Sequence, residues 1–398
     1  MSSQQLWQRP QLRRDEDLGH ERKASRLELF FDLVFVVDVA ELAHTFADHQ
    51  DAAGALQLVL LFVALWWVWI GVTYYHERFE TNDISLRLLT FAQMLCVAIM
   101  GYHIHDGTSE TSAGFAIGYI GARTLLLAMW LWGGFNNAEA RPMTNRFGIG
   151  FSISLALWII SLFVPVPARL ILWAVALTIE LATPFFTLEA QARLPTLSSS
   201  HLPERFGVFI ILVLREPIAG VIEGAAKVEQ PGALTLVDSL LGMMLALSMW
   251  WIYFDHAVRQ RIKGGSVWFR AFWSYLHLPL VIGMAGVGAA LLSAFEGAAA
   301  PLETPTRWIF GGSLALALVA IGVIELLLED EEGEGRTLQR TAFIRFSGAA
   351  LLLVLAAAGG GFSTTVMFAG CALVMLAQVV YDLATDGLPA EEVGFDPA

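Results

Sequence analysis

The chain has 398 residues, of which 56% are hydrophobic and only 15% charged, with a mean hydropathy of +0.60. A soluble domain carries roughly 25% charged residues, so this composition excludes an ordinary globular enzyme and points to an all-α polytopic membrane protein. The net charge of −13 comes largely from "EDEEGE" (Glu329–Glu334), the tail near Glu391 and carboxylates inside apolar runs, which excludes nucleic acid as a partner.

Residues 1–26 are polar and lack the apolar core of a cleavable leader, so the first helix is expected to act as the insertion signal. Apolar stretches near 20 residues long then recur at 27–46, 54–76, 84–104, 113–133, 147–164, 168–187, 206–224, 233–255, 272–294, 307–328, 341–358 and 363–384, which predicts twelve transmembrane helices. Segments five and six are parted only by "VPVP" (Val164–Pro167), and proline there favours a tight hairpin over one long span. Residues 188–205 form a linker on the cytoplasmic side, and 385–398 an acidic tail on the same side. Cys96 and Cys371 both lie in apolar runs, so neither a disulfide framework nor a thiolate metal cluster is expected, and no cofactor.

Basic residues test the count. With both termini cytoplasmic, the inner side holds Arg9, Arg13, Arg14, Arg22, Lys23 and Arg26, then Arg78, Arg141, Arg146, Arg193, Arg205, Arg259, Arg261, Lys263, Arg270, Arg336 and Arg340. The outer side holds only Arg169, Lys227 and Arg307. The two halves also echo one another: "LWWVWI" (Leu65–Ile70) answers "LSMWWI" (Leu247–Ile252), and "RLELFFDLVFVVD" answers "RFGVFIILVLRE". This predicts two six-helix repeats, 27–187 and 206–384, in parallel orientation about an axis along the membrane normal.

"ELFFDLVFV" (Glu28–Val36) followed by "AELAH" (Ala40–His44) resembles the opening signature of the bacterial low-temperature-requirement A family. "HLPERFGVFIILVLRE" (His201–Glu216) is similar to that family's second signature, and "WWIYFD" (Trp250–Asp255) and "HLPLVIG" (His277–Gly283) extend the resemblance over most of the chain. One departure is Arg215, which stands where the family pattern has Gly before the acid. The resemblance implies a fold and a bacterial inner-membrane location more than an activity. A fainter one, to lysosomal-type potassium channels whose six-helix repeats open with Arg-Phe-Ser-Asp, implies ion permeation.

Acids inside membrane spans are costly and concentrate in ion pathways. Helix one carries Glu28, Asp32, Asp38, Glu41 and His44, an arc too wide for one clean lipid face, so neighbours are expected to enclose it. Asp38 lies near its midpoint, with Asp32 and Glu41 flanking. Glu216 falls at matching depth in helix seven, and Arg215 beside it is expected to pair with Asp38. These five form the candidate midplane substrate or ion site. A second polar layer gathers at the cytoplasmic helix ends: Glu28, His76, Glu77, His201, Glu204, Arg205, Asp255, His256 and His277. It reads either as capping and headgroup contacts or as a pH-sensitive entrance, since His titrates near neutrality. No helix carries metal-ligand spacing, and no metal site is expected. Arg123 needs an acid, with Glu180 the candidate. Arg87 and Arg345 are expected to snorkel and Asp238 to be interfacial. Trp66, Trp67, Trp69, Trp250 and Trp251 read as core.

The expected function is movement of a proton, cation or small solute through the midplane acids. The alternative is a non-transporting sensor or scaffold in which acids and arginines form structural ion pairs. No P-loop, Rossmann fingerprint or nucleophile elbow is present, so an intramembrane hydrolase is a distant third reading and the chain is not expected to be an enzyme. The expected partner is the lipid bilayer.

Overall fold

The structure, a computed structural model, describes residues 8–13, 24–81, 83–197, 201–254, 267–295, 300–328 and 336–386. It is built almost wholly of helices: α1 (Arg26–Asp48), α2 (Ala52–Arg78), α3 (Ile84–Tyr102), α4 (Ser112–Asn136), α5 (Arg141–Ser161), α6 (Ala168–Ala182), α7 (Leu188–Gln191), α8 (His201–Val213), α9 (Arg215–Ala226), α10 (Ala233–Ile252), α11 (Val267–Ala294), α12 (Thr304–Leu326), α13 (Arg336–Ala358) and α14 (Thr364–Asp386). A two-residue strand β1 (Gln11–Leu12) pairs antiparallel with β2 (Phe79–Glu80).

Ten helical stretches among the described residues are long and apolar enough to cross a membrane. The other two predicted spans are helical as well. In α1 the carboxylates lower its hydropathy, and the seventh segment is divided at Leu214 into α8 and α9. Pro217 accounts for the division: it lacks an amide proton, and its ring crowds the carbonyl four residues back, at Val213. Segments five and six are separate helices, α5 and α6, with Pro165 and Pro167 between them.

Helix starts follow the local chemistry. Ser25 caps α1 in a reciprocal box: Glu28 N donates to Ser25 Oγ at 3.2 Å, and Ser25 N donates to Glu28 Oε2 at 2.7 Å. Asp51 caps α2 through Gly54 N, and Asp83 caps α3 through Leu86 N at 2.9 Å. Asp83 also accepts from Gln8 N at 2.7 Å and from Ser85 Oγ, tying the N-terminal segment to the α2–α3 turn.

Burial pushes the Asp83 carboxyl up, but these donors outweigh it and hold the group below its ordinary value. A depressed folded-state value contributes stability that is complete above the unfolded pKa, near ~3.9, and lost as pH falls through the folded one. Acidification from pH ~5 to ~3 should therefore lower the protection of residues 8–13 against hydrogen exchange, measured relative to the intrinsic rate at each pH. In Asp83→Ala the same peptide should exchange fast throughout, with loss of the cap costing about 1 kcal/mol. A pH-independent protection factor in the unaltered protein would contradict the assignment.

Chain ends and turns sort to two ends of the bundle. At one end β1, β2 and the turn after α4 meet: Leu12 N donates to Asn137 Oδ1 at 3.1 Å, and Asn137 Nδ2 to Pro10 O at 2.8 Å. At the other, Gln50 reaches Ser293 at 2.9 Å and also contacts Thr306, while Gln57 donates to the carbonyls of Ile104 and His105. Helix α1 packs against α2, α3 and α11, while α9 packs against α10 and α11. Neighbours run in order through α3, α4, α5 and α6, and again through α11, α12, α13 and α14. The α9–α11 contact is close because Gly288 lacks a side chain; a Cβ there would lie 2.7 Å from the Glu216 carbonyl.

Helix α1 departs from its expected enclosure. Leu29, Phe30, Leu33 and Val37 form an exposed apolar strip at helical spacing, whereas Glu28, Asp32 and Asp38 are buried. Glu41 widened the apparent polar arc; it is exposed, in line with Val37 and about one turn along α1 from Asp38.

Candidate functional site

Antiparallel packing of α1 and α2 brings the first turns of α1 against the last turns of α2, and α8 starts beside both. Their polar residues converge in a buried cluster. Arg205 Nη2 donates to Asp32 Oδ1 at 2.7 Å, and Trp69 Nε1 donates to the same oxygen at 2.8 Å. Arg205 Nη1 lies 3.8 Å from Glu28 Oε1, His76 Nδ1 lies 3.6 Å from it, and His201 Nε2 lies 3.9 Å away. His201 Nδ1 and Glu77 Oε2 are 2.6 Å apart. Glu28, Asp32, Glu77, His201 and Arg205 are each at most 3% exposed.

Three carboxylates here meet one guanidinium and two imidazoles, so the protons held on imidazole or carboxyl set the net charge of the cluster. Five of the nine predicted entrance residues thus come together, and Asp32 of the predicted midplane set joins them. Of the rest, Glu204 is half-buried and accepts from Ala24 N at 3.3 Å, capping the approach to α1. His277 is buried apart: its Nδ1 donates to Trp273 O at 2.8 Å, and Nε2 lies 3.0 Å from the Tyr253 hydroxyl. Asp255 and His256 fall outside the described residues.

Deeper along α1, Asp38 is 3% exposed, and its Oδ2 has no hydrogen-bond partner among the described residues. Its carboxylate occupies the space left by the missing side chain of Gly101 on α3; a Cβ there would collide with Asp38 Oδ1. The expected Arg215–Asp38 pair does not form. Arg215 Nη1 donates instead to Glu216 Oε1 at 2.9 Å, with the arginine half-exposed and the acid buried. Both residues lie in the first turn of α9. His44 lies 3.2 Å from Glu223, joining α1 to α9.

The other buried charges fall partly as expected. Arg123 does meet Glu180, at 2.9 Å, and Tyr119 donates to the same carboxylate at 2.7 Å. Arg345 does not snorkel: it is fully buried, bonded to Glu325 at 3.1 Å, to both oxygens of Asp382 at 2.8 and 2.7 Å, and to Gln378 at 3.3 Å. The signal was available, since Glu325, Arg345 and Asp382 all lie near the same end of adjacent predicted spans. Asp238, near the start of α10, is buried inside the bundle. Trp66, Trp67 and Trp69 are core residues, but Trp250 is 43% exposed because that face of α10 is uncovered. The role of Trp69 as a donor to Asp32 could not be read from its place in "LWWVWI" alone.

A cavity of about 690 Å³ opens in the same half of the bundle, between α2, α4, α5, α11 and residues 183–197.

Residues 23–380 match the family described as "Bacterial low temperature requirement A protein (LtrA)". An uncharacterized protein of Rhizobium meliloti (strain 1021) is 30% identical over 279 residues, covering 66% of this chain and 67% of its own length. The match takes in every helix from α1 to α13 and most of α14, including every buried ionisable group described above except Asp382, and the chain belongs to the bacterial low temperature requirement A family.

Proposed function

We propose that the protein moves protons across a bacterial inner membrane, the proton being, among the proton, cation or small-solute cargoes, the one best suited to these groups. The observation that carries this reading is the Asp38 carboxylate, buried within a span and with one oxygen lacking any hydrogen-bond partner among the described residues. A buried polar group held only for structure is normally satisfied. On the same helix, Asp32 and Glu28 lead from that carboxylate to the imidazoles of His76 and His201, groups able to take up and release protons. Glu216, paired with Arg215, is the corresponding acid of the second half.

The architecture in this reading is twelve crossings in two parallel six-helix repeats. It is supported by the sorting of turns to two ends and by the like order of neighbours in α3–α6 and α11–α14. The activity is read as non-enzymatic.

A sensor or scaffold is the second reading, favoured by the closed buried pairs Arg123–Glu180 and Arg345–Glu325–Asp382. Asp38→Asn in proteoliposomes separates the two. The substitution conserves volume and should change stability by no more than about 1 kcal/mol. Proton flux, read with an entrapped pH dye, should be abolished. Flux equal to that of the unaltered protein would sink the transport reading.

A further inference from the structure

Phe30, Leu33, Val37 and Glu41 form an exposed stripe along α1, and Ile211, Arg215 and Ile222 form another along α8 and α9. Other exposed arginines on the spans, such as Arg87, Arg146 and Arg340, stand within a turn and a half of a helix start, where a long side chain reaches the headgroups. Arg215 is eleven residues from the nearer end of the α8–α9 stretch, and the shorter Glu41 is seven from the end of α1. Glu41 makes no hydrogen bond or ion pair among the described residues, and the half-exposed Arg215 donates there through Nη1 alone, to Glu216. Lipid tails offer such groups no partner, so charged side chains inside spans are normally turned into the bundle or toward water. These two mark a face that something polar covers.

The two stripes belong to one face. Helices α1 and α8 run side by side in the same direction, tied near their starts by Asp32–Arg205 at 2.7 Å. Helix α1 then meets α9 at His44–Glu223, a contact of 3.2 Å whose side chains are 39 and 41% exposed. Glu41 and Arg215 lie nine and ten residues beyond the first tie, and three and eight before the second. At about 1.5 Å per residue their depths differ by roughly 2–8 Å, within the joint reach of a glutamate and an arginine.

We infer that this face is the contact between two copies of the chain, with Glu41 of each copy set against Arg215 of the other. Copies inserted in one orientation form a closed pair only about a two-fold axis along the membrane normal. Such an axis leaves depth unchanged and brings the α1 stripe of one copy against the α8–α9 stripe of the other. An acid and a base at matched depth on one face are the pattern that an isologous contact needs. The apolar residues of both stripes supply the packing around the charges. The inference rests on α1 and α8–α9 crossing the bilayer and not on flux, so a count of chains and a flux measurement fail independently.

The test is native mass spectrometry of the full chain released from lipid nanodiscs, which counts chains directly. The unaltered chain should be predominantly dimeric. Glu41→Arg and Arg215→Glu each set like charges against one another in the pair, and each should lower the dimer-to-monomer ratio at least about tenfold. Co-expressed with tags of different mass, the two variant chains should pair with each other and restore the ratio, since each contact is again an acid against a base. A contact between Glu41 and Arg215 of the same chain would give no such recovery. Glu41→Gln, at an exposed position, should fold as the unaltered chain does and weaken the dimer several-fold. A monomeric unaltered chain would overturn the proposal, leaving water against the two charges, and that count needs no variant to fold. So would a trimer or larger ring, an undiminished dimer in Glu41→Gln, or mixed variant chains that pair no better than each alone.

Discussion

Replacing Arg345 by methionine should destabilise the protein by about 3–5 kcal/mol, the usual effect of leaving a buried charge without its partner. Arg345 is fully buried, and its guanidinium serves Glu325, Asp382 and Gln378, which come from α12 and α14. Removing it takes from the buried Glu325 and Asp382 the guanidinium that they share. In a membrane no solvent can enter to repair the loss. Thermal unfolding in detergent, followed by the monodisperse fraction, reads the effect. Adding Glu325→Gln and Asp382→Asn to Arg345→Met removes the stranded charges and should recover most of the stability. An Arg345→Met protein that melts with the unaltered one would show that the three helices do not depend on this ion cluster.

Arg205→Met is expected to act on both stability and flux. The arginine bonds Asp32 at 2.7 Å and stands 3.8 Å from Glu28, so its loss concentrates negative charge between α1 and α8. Trp69 still donates to Asp32, which limits the cost to about 2–3 kcal/mol, the scale of one charged hydrogen bond. The informative variant is the double change Arg205→Met with Asp32→Asn. It neutralises the pair, so stability should return in either reading. If Asp32 passes protons toward Asp38, flux in proteoliposomes stays lost, because an amide cannot carry a proton between the imidazoles and the deeper acid. If the pair only sets helix register, function returns with stability. A double variant with full flux would therefore remove Asp32 from the pathway.

Much of the fold was legible because the bilayer is a simple solvent. Hydrophobic length, proline and the asymmetry of arginine report directly on spans and turns, and α5 and α6 part where Pro165 and Pro167 predict. Glu28, His76, Glu77, His201 and Arg205 could be grouped beforehand by depth, because residues at the same end of adjacent antiparallel spans have few places to go. Azimuth was less legible. Arg215 was expected against Asp38 because its neighbour Glu216 lies about 100° round the wheel, and it bonds Glu216 instead. Glu41 was assigned to the site by proximity along α1, yet points to the exposed side.

Sequence alone determined the class of the protein, its largely helical character and its family resemblance, because these follow from composition, motifs and the length of apolar runs. Tertiary structure alone decided which groups meet. Whether Arg345 snorkels or is sealed among Glu325, Gln378 and Asp382 depends on how α12, α13 and α14 are rotated about their axes. That rotation is chosen by side-chain packing summed over whole helix faces, to which no single residue contributes more than a small part. The orphan oxygen of Asp38, lodged where Gly101 leaves room, is the clearest result of that choice.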